Sequence, residues 1–320
     1  MLKTYTIPLS NIYINSLYDL WINNGFDDES NVDIHKDLLL GSEKNINSIK
    51  LYVFENQNFI ESSAMIISNI RTPNISGVGE VCTSVNSRGK GYAKSLCREI
   101  LEDFFSNNLS EGIFLGTTNP VAKKIYESLG WESVQNSNVM FNSNHKKNFE
   151  KFLIDYYDQK SKKQIIEGNA NLRLSIIPYV LSLRSKKQID LNSNINLIDI
   201  SSGCLSIYNK FDLLSNNQGN WYCQTDQDNK IFSIASYLDD GQKNFRIDGL
   251  FNDSWKNLSL DLLYETVKKI YGKNPKKIFS EVFSEDLYKI DLLKEIGFNF
   301  EEDIKKIVGN NILNFKTFSL

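Results

Sequence analysis

Residues 79–93 read Gly79-Glu80-Val81-Cys82-Thr83-Ser84-Val85-Asn86-Ser87-Arg88-Gly89-Lys90-Gly91-Tyr92-Ala93, and this stretch decides the fold. It opens as an alternating, β-branched strand and runs straight into Arg-Gly-Lys-Gly-Tyr-Ala. Behind it, Ala93, Leu96, Cys97, Ile100, Leu101, Phe104 and Phe105 recur at i, i+3, i+4, i+7 and i+8, which is one face of a helix. The order is therefore strand, glycine turn, helix. Such a turn aims free backbone N–H groups and the positive end of the helix dipole at one point. A pyrophosphate suits that point. Gly91 lets the backbone approach a ligand closely, and Arg88 and Lys90 add positive charge.

A two-glycine turn with basic residues is, by itself, usually only a turn. The spacing narrows the reading. Arg88-x-x-Gly91-x-Ala93 fits the pattern Gln/Arg-x-x-Gly-x-Gly/Ala, and a second signature follows it. Residues 112–117 read as a short buried strand, and residues 119–131 as a helix. Asn119 is a good N-cap, Pro120 a good first helical residue and Gly130 a good stop. Together and in this order, the two signatures resemble the GNAT superfamily of acyl-CoA-dependent N-acetyltransferases. The later helix is similar to the family's last one, with its Asn119, its Tyr126 and its closing Gly130-Trp131 pair.

The rest of the first half fits that order. Residues 4–9 read as a first strand, and residues 11–23 as an amphipathic helix with Ile12, Leu17, Leu20 and Trp21, ended by Asn24-Gly25. An acidic loop, Asp27-Asp28-Glu29, precedes a helical stretch around 33–40. Residues 49–54 and 59–67 read as strands joined by a turn at 55–58, and residues 134–141 as the last strand.

The second half repeats the plan. Gly130-Trp131 and Gly297-Phe298 each close a helix, at an offset of 167. Applied without gaps, that offset sets Ala93 on Leu260, Leu96 on Leu263, Cys97 on Tyr264, Ile100 on Val267 and Phe104 on Tyr271. Residues 230–238 and 245–251 read as strands around an Asp239-Asp240-Gly241 turn. Between the copies, residues 147–157 read as a helix, 162–167 as a strand and 172–183 as a helix interrupted by Pro178. The expected fold is α/β with a mixed sheet. It comprises two tandem GNAT-like domains, 1–148 and 149–320, each a central, mostly antiparallel sheet flanked by helices. The second copy lacks the chemistry. Arg88–Ala93 becomes 255–260, with no glycine; Asn119 becomes Asp286 and Tyr126 becomes Leu293. Asp253 or Ser254 is the expected cap of its helix. Two roles stay open for this copy: covering and stiffening the first domain, or walling the acceptor cleft.

Composition excludes several classes. The chain has 36 basic and 39 acidic residues in 320, and 41% hydrophobic content, so charge gives no nucleic-acid or membrane footprint. No cationic start with an apolar run follows Met1, so a cytoplasmic protein without a signal peptide is expected. Cys82, Cys97, Cys204 and Cys223 form no Cys-x-x-Cys pair, and the histidines are His35 and His145. No metal site and no His-based triad is expected.

The resemblance implies a chemistry. A backbone N–H near Cys82 or Thr83 holds the thioester carbonyl of acetyl-CoA, or of another acyl-CoA. Arg88, Gly89, Lys90, Gly91, Tyr92 and Ala93 take its pyrophosphate, with Lys94 assisting, and Asn119 contacts its arm. Tyr126 is the candidate acid, since phenol and thiol ionise at roughly 10 and 8.5. The competing reading is a core tyrosine beside Val121, Ala122, Ile125 and Leu129. Glu80 or a water chain serves as base. Asp27, Asp28 and Glu29 lie where the family's first helical loop meets the acceptor; the competing reading is a solvated turn. The expected function is transfer of an acyl group to the primary amine of a small molecule by a monomeric chain, the tandem copy standing in for a dimer partner. A peptide or protein N-acyltransferase and a non-catalytic acyl-CoA-binding module are the alternatives.

Overall fold

The structure, a computed structural model, describes residues 1–25, 36–57, 59–144, 147–158, 161–198 and 204–320. The chain forms two compact units: Met1–Tyr156 with Ser202–Leu205, and Tyr157–Ser201 with Ser206–Leu320.

The first unit runs β1 (Leu2–Thr6), α1 (Asn11–Asn23), β2 (Asn47–Asn56), β3 (Phe59–Asn69), β4 (Ile75–Thr83), α2 (Tyr92–Phe105), β5 (Gly112–Gly116), α3 (Pro120–Glu127), β6 (Glu132–Ser133), β7 (Val139–Ser143) and α4 (Phe149–Tyr157). Its sheet is ordered β1-β2-β3-β4-β5-β7-β6, and β4 with β5 is its one parallel pair among the described residues. Helix α2 buries Leu96, Cys97, Ile100, Leu101 and Phe104, the face its 3.6-residue period dictates. They pack on Tyr52, Ala64, Ile66 and Val78 of the sheet, and each such side chain is worth about 1.5–3 kcal/mol when buried. Helix α1 covers the other face. Ser10 caps it, and Trp21 Nε1 donates to Ser63 Oγ at 3.0 Å.

Three boundaries differ from expectation. The first strand ends at Thr6, not residue 9, because Pro8 has no N–H to donate. The last strand is split: Asn136, with φ 56°, turns the chain between β6 and β7. The unit ends at Tyr156 instead of 148, because Phe149 and Phe152 of α4 pack on Phe114 and Phe141 of this sheet. The helical stretch expected at 33–40 lies partly outside the described residues; residues 36–39 are helical.

The second unit runs β8 (Gln164–Glu167), α5 (Ile176–Ser182), β9 (Ile189–Asp190), β10 (Ile195–Asn196), α6 (Ser206–Asn216), β11 (Gly219–Thr225), β12 (Ile231–Asp239), β13 (Asn244–Phe251), α7 (Lys256–Tyr271), β14 (Lys277–Phe283), α8 (Leu287–Glu295), β15 (Asn299–Val308) and β16 (Asn311–Ser319). Its main sheet is ordered β8-β11-β12-β13-β14-β16-β15, the same order as in the first unit, again with one parallel pair among the described residues, β13 with β14. The described residues are thus α/β, with two seven-stranded, mostly antiparallel sheets flanked by helices and a small β9–β10 pair.

The gapless offset needs one correction. Helix α7 buries Leu262, Leu263, Thr266, Val267 and Ile270, which match Leu96, Cys97, Ile100, Leu101 and Phe104 at an offset of 166. Tyr264 and Tyr271, expected inside, are 53% and 54% exposed. The 167 offset holds at the caps Asn119 and Asp286, so the second copy has one residue more between helix and cap. The expected helix 172–183 is broken into a 3-10 turn (Ala170–Leu172) and α5, where Pro178 falls in the first turn and interrupts no hydrogen bond. No described helix is long and apolar enough to cross a membrane.

Candidate active site

The parallel strands β4 and β5 pair only from Ile75 with Gly112 to Val78 with Leu115. Beyond that they part. Cys82 and Thr83 stay paired with Ser63 and Ser62 of β3, while Gly116 turns to Val139 of β7. A register shift between Ser63 and Met65 and a φ of 53° at Glu80 mark a bulge at the parting. A non-glycine residue there costs roughly 1–2 kcal/mol, and a bulge re-aims side chains. Two serines hold it: Ser63 Oγ donates to the Glu80 carbonyl at 2.8 Å and Ser62 Oγ to the Cys82 carbonyl at 2.9 Å. At the open ends of both strands stands a helix N-terminus, α2 after β4 and α3 after β5. Both present positive dipole ends to the parting, and the first-turn N–H groups of α2, which has no side-chain cap, have no intrahelical partner.

The loop into α2 begins with a 3-10 turn, Val85–Ser87. Asn24 Oδ1 accepts from Val85 N–H at 2.7 Å and ties the loop to the end of α1. Gly89 and Gly91 both have φ 80°, and Gly91 is the N-terminal cap of α2. A Cβ at either would meet nothing within 4 Å. The left-handed backbone therefore demands glycine, and the space in front of it is open. Arg88 Nε donates to Thr83 O at 3.3 Å. Lys90 Nζ lies 3.1 Å from Ser87 Oγ, 3.6 Å from Glu61 Oε1 and 5.7 Å from the centre of the Tyr92 ring. Tyr92 stacks on Phe54 at 4.2 Å between centroids. Ala93 and Lys94 follow, half-buried, in the first helical turn. Open space, free N–H groups and basic side chains fit a pyrophosphate.

Asn119 caps α3: its Oδ1 accepts from Val121 N and Ala122 N at 2.9 and 3.3 Å. Tyr126 is 5% exposed and packs with Leu96, Cys97, Ile100 and Trp131. Its hydroxyl has no hydrogen-bond partner among the described residues, and burial raises its pKa, so the phenol stays protonated. Cys82 points to the α1 side, with Sγ 3.9 Å from Leu20 O, and burial pushes its thiol up to about 11. Asp27, Asp28 and Glu29 lie outside the described residues. Sequence reading missed Ser62, Ser63, Glu61 and Asn24, since isolated polar residues on a strand or helix end carry no motif. It also missed Leu205, which belongs with the first unit and whose Cδ1 lies 2.9 Å from where a Gly79 Cβ would stand.

The same place in the second unit is built differently. Strands β13 and β14 pair only over Asn244–Arg246 with Lys277–Phe279. Beyond them, Lys289 from the first turn of α8 donates to Asp248 Oδ1 at 2.7 Å and to the Ile189 carbonyl at 2.8 Å, and lies 3.9 Å from Asp286 Oδ2. Asp248 Oδ2 accepts from Leu191 N at 2.7 Å. Lys289 is 1% exposed, and Asp248, Asp286 and Asp190 hold it as a cation against the cost of burial. Helix α7 starts without a glycine. The expected caps, Asp253 and Ser254, lie instead in a 3-10 turn that Asn252 caps, accepting from Ser254 N at 3.0 Å, and α7 itself starts at Trp255 with no side-chain cap. No glycine cradle and no open parting exist among these residues.

Residues 57–140 match the family model described as FR47-like protein. No curated protein matches the chain. Among solved structures, a GNAT acetyltransferase from Streptococcus pneumoniae is similar at 10% identity, covering 50% of this chain and 99% of its own, with a TM-score of 0.39. An N-acetyltransferase from Staphylococcus aureus Mu50 aligns at 10% identity over 50% and 98%, with a TM-score of 0.41. A spermidine/spermine N-acetyltransferase from Vibrio cholerae aligns at 10% identity over 50% and 94%, with a TM-score of 0.36. The matched segment 57–140 holds β3, the β4–β5 parting, the glycine loop, α2 and α3, so the likeness to the FR47-like model falls on the part of the first unit that builds the site.

Proposed function

We propose that the first unit is an acyl-CoA-dependent N-acyltransferase acting on the primary amine of a small molecule. One observation carries the reading: β4 and β5 part at Val78 and Leu115 in front of the α2 N-terminus, which opens on the left-handed, unobstructed Gly91. Bound acyl-CoA supplies a thioester carbonyl open to attack by an amine. The chain's residues do the rest. The N–H groups from Gly89 to Lys94, with Arg88 and Lys90, bind the pyrophosphate. A backbone N–H beside Cys82 or Thr83 holds the carbonyl oxygen and stabilises the oxyanion. Tyr126 donates a hydrogen bond to the departing sulfur as the C–S bond breaks. Glu80, or water beside it, takes the amine proton. The second unit binds no acyl-CoA, and the chain acts as a monomer.

The test is incubation with acetyl-CoA and an acceptor panel of polyamines, aminoglycosides, amino acids and peptides. Free thiol release is read first, and the acceptor mass second. Thiol release with a mass gain on a small amine supports the reading. A mass gain on peptides alone moves the acceptor class to protein. Tight acetyl-CoA binding with no thiol release from any acceptor favours a non-catalytic binding module.

A further inference from the structure

The bulge in β4 is tied to α1 through two buried side chains. Trp21 of α1 and Ser63 of β3 are both withdrawn from solvent. Trp21 Nε1 donates to Ser63 Oγ at 3.0 Å, and Ser63 Oγ donates to the Glu80 carbonyl at 2.8 Å. An indole N–H only donates, so the serine oxygen accepts there and its single proton is left for Glu80. The hydroxyl therefore has one orientation.

That orientation fixes a peptide plane. The Glu80 carbonyl and the Val81 N–H belong to one planar, trans unit and point opposite ways. The carbonyl points at Ser63, on the side of β3 and α1. The Val81 N–H is thus turned away from β3, the side from which β5 has parted. Glu80 adopts φ 53° without being glycine, a conformation that persists only where its surroundings hold it. Ser63 is the side chain that holds it.

The second unit shows the same pair of strands without this device. Strands β12 and β13 take the places of β3 and β4 in the sheet order. Their register runs unbroken from Ser233 with Phe251 to Asp239 with Phe245. Ser233 Oγ donates to Ser259 Oγ at 3.1 Å, and not to a β13 carbonyl. The bulge and its buried serine occur together in the unit that has the open parting.

We propose that Ser63 is a positioning residue for acyl transfer, with Trp21 directing its proton. By holding the Glu80–Val81 peptide it aims the Val81 N–H at the carbonyl oxygen of the bound thioester. The proposal rests on the acyl-CoA reading of the first unit and adds to it the residues that preorganise the oxyanion donor. A donor stabilises the developing charge to the extent that it is already in place.

The test is difference infrared spectroscopy of acetyl-CoA, isotope-labelled at the thioester carbonyl and bound to the full chain, with calorimetry for affinity. In wild type the carbonyl band should lie below that of free acetyl-CoA, because the N–H polarises the bond. Ser63→Ala should lose most of that shift while its affinity for acetyl-CoA changes by less than about threefold. Ser63→Thr, which keeps the hydroxyl, should retain the shift. Trp21→Phe keeps an aromatic ring, frees the hydroxyl to turn and should lose part of the shift; it decides the matter if Ser63→Ala does not fold. A wild-type band position in folded Ser63→Ala or Trp21→Phe overturns the proposal. So does a loss of affinity as large as the loss of shift, which would make Ser63 a residue of the fold alone. Acetyl-CoA that binds wild type with no shift overturns the proposal and leaves the acyl-CoA reading standing, whereas no binding to wild type removes both.

Discussion

Lys289 Nζ lies 2.7 Å from Asp248 Oδ1, with both side chains withdrawn from solvent. This pair stands where the second sheet's parallel strands part, the place the first unit leaves open. Removing one partner of a buried pair strands the other charge, at a cost of about 3–5 kcal/mol. Lys289→Met should therefore destabilise the second unit by that amount. Urea unfolding of the full chain, followed by tryptophan fluorescence, measures it. A loss under about 1 kcal/mol would mean that the pair contributes no net stability.

Asp190 makes the same cluster sensitive to pH. Burial, and then the neighbouring Asp248, raise its carboxyl to about 6, against Lys289 and the Ser193 contacts that lower it. The folded pKa lies above the unfolded value, so the folded state binds the extra proton. Its stabilising contribution is full at low pH and is lost as pH rises through about 6. Asp190→Asn retains the Oδ1 that accepts from Asn192 N and Ser193 N. It should stabilise the chain at pH 7 by on the order of 1–3 kcal/mol and give no gain near pH 4. Thermal melts at the two pH values decide it, and a gain that is equal at both refutes the titration.

Gly91→Glu should abolish acyl-CoA binding without unfolding the chain. The variant puts a side chain at φ 80° and a negative charge into the open space before α2. The backbone cost is about 1–2 kcal/mol, below the stability of an ordinary domain. In wild type, calorimetry with acetyl-CoA should give one site per chain. A stoichiometry near two would return a working site to the second unit, and full affinity in folded Gly91→Glu would remove the phosphate loop.

Tyr126→Phe separates the two readings of that residue. The ring stays packed on Leu96, Ile100 and Trp131, so the fold is kept. If the hydroxyl assists the departing sulfur, kcat falls by about tenfold or more with little change in KM for acyl-CoA. An unchanged kcat, in an assay limited by the chemical step, makes Tyr126 a core residue.

Much of this was legible in the sequence because it is written in local rules. Gly89 and Gly91 announce a left-handed turn, the spacing from Leu96 to Phe104 a helix face, Asn119-Pro120 a helix start. The duplicated plan was also legible, though its register slipped by one residue: apolar spacing fixes a face but not an insertion, and Tyr264 and Tyr271 read as core while standing in solvent. Strand β11 and helix α6 went unread. Neither Ser63, which fixes the bulge, nor Lys289, which fills the second parting, carries a signal. Their roles depend on residues 17 and 41 positions away, Glu80 and Asp248, and pairing at that range is decided by the sheet.

The filled parting also restricts what mutation can do. To open it, Lys289 must go, but any variant lacking it leaves Asp248, Asp190 and Asp286 without their counter-ion. A glycine loop must appear before α7 as well, and it profits nothing until the parting is open. Loss of Lys289 alone lowers stability and brings no activity with it. The second copy therefore holds its own cleft shut: a glycine loop gained before α7 has nothing to serve until the buried lysine and its carboxylates are replaced together.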